Sequence, residues 1–338
     1  MMKPVLAVLF LGTMLFQGAT GYKVVDRYPV GGPVGGFDYV SIDSGARRLY
    51  VSHATEVEVL DADSGKQVGT ITDTPGVHGA AIASAFKHGF TSNGRENKVS
   101  MFDSTTLALI KKIDVGKGPD GIYYDPKTKR VFTNNHGSHD ITAIDAATGD
   151  VVGTVAAKGD GEQAIIGSDG LIYVNIEDTA EVVVFDPKSL EVKNRFPIGV
   201  AKTPTGLAYD AKTNRLFIGC RTEPKMVVMD AATGKVINSY PIGGAVDYAG
   251  FDPDSKLIFF SCGAGTLSIY REKSADVYED AGAVTTQPSA KTMAFDPKTK
   301  KVFLPAAEYT ETPPAQPGGR PTRTQKPGSF VVVVVAKS

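Results

Sequence analysis

Apolar and polar positions along this chain trade places every few residues, and no stretch holds the spacing of about 3.6 that an amphipathic helix needs. Short apolar runs are separated by turns of Gly, Pro, Asn and Asp, which is the pattern of strands joined tightly. The alternation itself recurs about every 42 residues. The segment from Gly206 to Ile242, GLAYDAKTNRLFIGCRTEPKMVVMDAATGKVINSYPI, shows one unit: an apolar run, an Asp turn, a run carrying Phe, a second apolar run and an Asp-x-x-x-Gly turn. Two sets of turn residues keep the period independently. The first is Asp43, Asp125, Asp210, Asp252 and Asp296, with Ala85 and Ser168 assigned to the gaps; the second is Asp61, Asp103, Asp145, Asp186 and Asp230, with Tyr270 in the sixth unit.

Four-strand units of this length, repeated radially, predict an all-β protein, a β-propeller whose blades are stabilised by stacking on their neighbours. The ends of the chain predict how the ring closes. KVVDRYPVGG at 23–32 resembles KVINSYPIGG at 235–244, the outermost strand of a blade, so the chain starts on a fourth strand. The β-branched run from Phe330 to Val335 reads as a third strand that lacks a fourth. Pairing the two removes both open edges. Without a Pro-, Gly- and Thr-rich insertion at 310–328, the residues after Gly21 divide into seven blades of about 43. The expected organisation is therefore a leader at 1–21 and one seven-bladed domain at 22–338, with 310–328 as a mobile loop that is either idle or a docking arm.

The second strand of the units ends in a recurring four-residue motif: Tyr50-Val51-Ser52-His53, Phe90-Thr91-Ser92-Asn93, Phe132-Thr133-Asn134-Asn135 and Phe217-Ile218-Gly219-Cys220. It resembles the repeat of the YVTN-type bacterial propellers, which include the YncE-like group. The resemblance spans 22–338 and implies a seven-bladed, exported or periplasmic protein, with DNA or partner binding in some relatives. Trp is absent, so the Trp-Asp signature of the WD40 class is excluded.

Residues 1–21 carry one Lys, an apolar stretch from Val5 to Phe16 and the small-residue pattern Ala19-Thr20-Gly21. That stretch is too short to span a bilayer and reads as a cleaved signal peptide, so the expected address is the periplasm or the outside of the cell. The formal net charge is −1, without a basic stripe, which argues against a nucleic-acid surface. No later segment reads as a membrane span, and a monomer is expected. Cys220 and Cys262 hold the same place in adjacent units, where two free buried thiols are favoured over a disulfide.

In a propeller the loops entering first strands share one face with those leaving second strands, while the regular Asp turns lie on the other. Counting five residues back from each first marker predicts a ring at the channel mouth: Asp38, Ala80, Asp120, Gln163, Thr205, Asp247 and Lys291. Carboxylates and a Lys in a narrow funnel favour a cation or polar ligand. The alternative is that each Asp merely accepts hydrogen bonds from its own turn. The ends of the second strands add His53, Asn135, His136 and Arg221 to the expected ligand face. His136 and His139, with His53 or His78, offer a nitrogen-rich set for a divalent metal, while exposed histidines in Gly/Asn loops are more often idle.

Nucleophile-elbow, phosphate-loop, His-Glu-x-x-His and Cys-x-x-Cys motifs are all missing. The favoured function is therefore a non-enzymatic exported scaffold, with no predicted organic cofactor, that binds a protein, glycan or small molecule on its loop-rich face. The competing function is a metal-assisted hydrolase of lactonase or esterase type, or a redox enzyme, at the same mouth.

Overall fold

The structure, a computed structural model, describes residues 20–312 and 322–337. All but the last two residues of the expected leader at 1–21 lie outside the described residues. Among the described residues there are seven four-stranded antiparallel sheets and one short two-stranded ribbon. Blade 1 runs from Val40–Asp43 to Gln67–Ile71, blade 2 from Val77–Ala83 to Leu109–Asp114 and blade 3 from Pro119–Asp125 to Val151–Val155. Blade 4 runs from Gly161–Ile166 to Val192–Pro197, blade 5 from Lys202–Asp210 to Val236–Pro241 and blade 6 from Val246–Asp252 to Val277–Thr285. Blade 7 is built from both ends of the chain, as Ala294–Phe295, Val302–Ala306, Val331–Lys337 and, outermost, Tyr22–Pro29. Tyr22–Pro29 lies antiparallel to the valine-rich strand, with Tyr28 opposite Val332 and Tyr22 opposite Lys337. First strands of successive blades touch one another, and that of blade 7 touches that of blade 1, so the seven sheets form a ring. Among the described residues no helix is long and apolar enough to cross a membrane.

There is no single core. The buried apolar side chains fall into seven clusters, each filling the wedge between two neighbouring blades. Tyr50, Val57 and Val59 of blade 1 meet Val77 and Phe102 of blade 2; Phe303, Val332 and Val334 of blade 7 meet Val40, Leu49 and Leu60 of blade 1. This is why the sequence reads as short, almost continuously apolar inner strands: both faces of those strands are covered. Cys220 and Cys262 are free and buried.

The Asp turns form the base of the ring. Asp125 accepts hydrogen bonds from the Lys127 and Thr128 amides, and Asp210 from those of Lys212 and Thr213. The second series does the same, with Asp103 holding the Thr105 and Thr106 amides. Each carboxylate closes its own turn, the Asx geometry that makes Asp recur there.

The insertion departs from a plain loop at its roots. Tyr309–Thr312 and Thr322–Gln325 pair as an antiparallel ribbon, with the Arg323 guanidinium 4.7 Å from the centre of the Tyr309 ring. Gln325 accepts a hydrogen bond from the Gly35 amide at 3.2 Å, which roots the ribbon beside the channel mouth. Its tip, 313–321, lies outside the described residues.

Candidate functional site at the channel mouth

Each blade contributes one residue to the mouth, five places before the residue that opens its first turn. Those turn-opening residues are Asp43, Ala83, Asp125, Gly167, Asp210, Asp252 and Asp296, as the pairing of the first and second strands and the turn bonds show. The mouth residues are therefore Asp38, His78, Asp120, Glu162, Thr205, Asp247 and Lys291. Two expected positions are corrected. In blade 2 the mouth residue is His78, not Ala80, and in blade 4 it is Glu162, not Gln163. Both errors come from Ala85 and Ser168, which are not the turn markers. Blade 2 closes its first turn with a 3-10 turn over Ser84–Phe86, and blade 4 with a shorter turn held by Asp169, whose carboxylate accepts from the Leu171 amide. Without an Asp in the usual place, the marker series loses its register.

The recurring second-strand motif positions this ring. Its third residue reaches into the next blade: Ser92 donates to the Asp120 carbonyl and Asn134 to the Glu162 carbonyl, the latter at 2.6 Å. Ser261 donates to the Lys291 carbonyl at 2.6 Å, and Thr292 to that of Asp38. The fourth residue turns into the blade, because successive side chains of a strand point to opposite sides. His53 and Asn135 are thus buried, each 1% exposed, and do not stand on the ligand face as expected. Asn135 donates to Asp140 and Thr142, and His53 Nδ1 lies 3.1 Å from the Gly31 carbonyl. The residues one place further, His136 and Arg221, do reach the mouth.

The side chains form a chain of contacts around the ring. Lys291 Nζ bridges Asp38 Oδ1 at 3.0 Å and Asp247 Oδ2 at 2.7 Å. Arg221 joins Asp247 to Glu177, the second contact at 3.1 Å. His78 Nδ1 lies 2.8 Å from Asp38 Oδ2 and 3.4 Å from Asp120 Oδ2, and His136 Nδ1 is 3.7 Å from the same Asp120 oxygen. Asp120 Oδ1 is buried without a hydrogen-bond partner among the described residues. The two sides of the mouth therefore differ. Blades 5, 6, 7 and 1 pair their charges internally; blades 2 to 4 leave Asp120 and Glu162 facing inward with little compensation.

Electrostatics follow that division. Burial would raise Asp38, but the Lys291 charge and the bond from His78 outweigh it and hold the carboxyl below its usual range. Burial would lower Lys291 and His78; the facing carboxylates outweigh it and lift both. For Asp120, burial and the neighbouring Asp38 charge prevail over His78 and His136 and raise it. Burial, with Asp120, Glu177 and Asp247 around it, pushes Glu162 well above the usual carboxylate range.

A cavity of about 800 Å³ opens over blades 1 to 3, lined by the loop Pro33–Asp38 together with His78, Arg95, Asp120, His136 and Lys291. Its floor is closed. The Tyr39 hydroxyl crosses the channel to Glu162 at 3.2 Å, and its ring meets that of Tyr248 edge-on at 5.9 Å. Gln163, expected as a ligand residue, bonds instead across the channel: its amide donates to the Ala249 carbonyl and accepts from the Leu207 and Ala249 amides. Directly below the mouth lies a void of about 60 Å³, and a cavity of about 310 Å³ lined by Ser41, Ala80, Ile122 and Tyr124 opens toward the base. The mouth is a pocket with a floor, not a pore.

Of the expected metal ligands, His78 and His136 flank Asp120. His139 stands apart, 54% exposed and 3.0 Å from Asp160. His53 belongs to a separate group with Glu56 and Glu58 near the closing strand, where burial and Glu56 push Glu58 up to about 7. Glu162 and Tyr39 escaped the sequence reading. The signal for the correct register is the Gly after the mouth residue in His78-Gly79, Asp120-Gly121 and Thr205-Gly206. At Gly206 a Cβ would sit 2.8 Å from the Tyr248 backbone, so the close approach of the next blade demands Gly.

Comparison with known proteins agrees with this architecture. A subunit of the Kuenenia stuttgartiensis hydrazine synthase structure is similar, with a TM-score of 0.71 and 17% identity over 81% of this chain and 94% of that one. A chain from the structure titled mitotic checkpoint complex gives a TM-score of 0.74 and 16% identity, over 90% of this chain and 94% of that one. Such low identities bear on the fold alone. No curated protein matches the chain. The profile described as YNCE-like beta-propeller matches residues 74–271, more than half of the sequence, and with seven blades in place the chain belongs to the YNCE-like beta-propeller family.

Proposed function

We propose that this protein is an exported binding scaffold that seats a small polar molecule, carrying a cationic or multiply hydrogen-bonding head, in the pocket at the channel mouth. One observation carries the reading: Asp120 lines the pocket with only two imidazoles beside its carboxylate, while its neighbours across the mouth are paired with Lys291 and Arg221. A half-buried carboxylate short of donors has its pKa raised by its surroundings, a cost that a donor on a ligand offsets. The cavity of about 800 Å³ is of the size that holds a small molecule. The rigid ring, fixed by bonds from one blade to the next carbonyl, supplies a site formed in advance. Export rests on the apolar leader, and amino-terminal sequencing of the protein recovered from fractionated cells tests it.

The binding test is a thermal-shift panel of primary amines, amino acids and short sugars, run in excess EDTA on wild type and on Asp120→Ala. A compound that stabilises wild type and loses that effect in the variant is the expected result. A panel in which each stabilising compound acts equally on both proteins, or none stabilises wild type, contradicts the site.

A further inference from the structure

The mouth contains a donor arrangement that hydrogen bonding alone does not satisfy. His136 Nε2 lies 2.9 Å from the Gly161 carbonyl, which only accepts, so Nε2 carries the hydrogen. In the neutral ring Nδ1 then carries the lone pair, and that lone pair faces Asp120 Oδ2 at 3.7 Å, acceptor against acceptor. On the other side of Asp120, His78 Nδ1 lies 2.8 Å from Asp38 and 3.4 Å from Asp120, and one proton there serves the nearer carboxylate. Asp120 Oδ1 has no hydrogen-bond partner among the described residues. One imidazole and two carboxylates from three blades thus converge within 4.8 Å of one another, and His136 turns a lone pair toward the same Asp120 from the other side.

We infer that Asp38, His78 and Asp120 form a binding site for a divalent first-row metal ion of the zinc type, with His136 swinging in beside Asp120 as the fourth ligand. Ligand atoms at about 2.0 Å from a tetrahedral ion stand roughly 3.3 Å apart, and the separations of His78 Nδ1 from Asp38 and Asp120, 2.8 and 3.4 Å, bracket that value. The mixed nitrogen and carboxylate set suits zinc or iron better than calcium or magnesium, which prefer oxygen alone. The Gly161 carbonyl on the far nitrogen of His136 is the usual outer partner of a metal-bound histidine, fixing its tautomer and aim. The site opens into the pocket, so an ion there has room for a ligand from solution. This inference rests on the binding role proposed for the mouth and narrows it to the hydrogen-bonding, hydroxylated class of ligand, which a bound cation would meet there.

The test is calorimetric titration of the EDTA-stripped, dialysed protein with Zn²⁺ alone. Wild type takes up one ion per chain, and Asp120→Asn or His136→Gln weakens binding at least tenfold with the unfolding midpoint retained. His139→Gln is the control, because His139, Asp160 and Asp178 form another acidic group on the surface. Absence of stoichiometric uptake by wild type overturns the inference, as does uptake that survives both mouth substitutions or is lost in His139→Gln. The two readings fail separately: a compound that binds in EDTA and depends on Asp120 leaves the pocket standing without the metal.

Discussion

Asp120 and Asp125 stand at the two ends of one strand, and the molecule treats them oppositely. Asp125, at the base, is 1% exposed and accepts from two amides and a hydroxyl of its own turn. Asp120, at the mouth, holds no amide; its nearest partners are imidazoles from its own and the preceding blade, and one oxygen bonds to nothing. The contrast holds on the side of the mouth formed by blades 3 and 4. Base carboxylates are locally satisfied and several fall below their ordinary values, as at Asp252 and Asp296, whereas Asp120 and Glu162 are raised. A carboxylate that closes its own turn serves the fold. One left to face its neighbours across a cavity is available to something that is not part of the chain.

The largest effect expected is at Lys291, which holds two mouth carboxylates together. Lys291→Met leaves Asp38 with His78 alone and Asp247 with Arg221 alone, and is predicted to cost about 2–3 kcal/mol in urea unfolding, short of a fully enclosed pair because 41% of the lysine side chain is exposed. A loss below about 0.5 kcal/mol would show that this side of the mouth is not held by its charges.

Next comes the base, where Asp296 bonds Ser44, Arg47, Thr299 and the Lys298 amide and is lowered to about 2. A carboxyl depressed in the folded state stabilises above its unfolded value of 3.8 and loses that contribution as pH falls through about 2. Asp296→Asn is therefore predicted to cost on the order of 2 kcal/mol at neutral pH, with the difference from wild type vanishing toward pH 2. A difference independent of pH over that window would contradict it.

Glu162 sharpens the contrast because its sign is reversed. Its folded value is raised, so it favours the folded state below the ordinary value of 4.5, and that contribution is lost as pH rises. Glu162→Gln is expected to flatten the decline in stability on the alkaline side and to leave the protein equal to or more stable than wild type at pH 8, by about 1 kcal/mol or less. Denaturant midpoints across pH 4 to 8 check this, and a Gln variant clearly weaker at pH 8 would place Glu162 among the structural acids.

How far the sequence reaches follows the same division. The repeat of about 42 residues, the strand order and the matching of KVVDRYPVGG to an outermost strand are legible because turn chemistry and burial are local and recur in each blade. Counting from the Asp turns also lands on Asp38, Asp120, Asp247 and Lys291. It fails at His78 and Glu162 because blades 2 and 4 close their first turn without that Asp; the Gly after His78 still marks the register in blade 2, and blade 4 lacks even that. It also places His53, Asn135 and Gln163 on the ligand face. The inward turn of His53 and Asn135, and the reach of Gln163 across the channel to blade 6, depend on contacts between strands far apart in sequence.

The most direct test sets the two ends of the strand against each other, comparing Asp120→Ala and Asp125→Ala by urea unfolding at pH 7 in EDTA. Asp125→Ala, which gives up its turn amides, is expected to lose about 1–2 kcal/mol, and Asp120→Ala to change by no more than about 0.5 kcal/mol. Equal losses at both ends would contradict this contrast, because Asp120 would then be one more residue that holds the ring together.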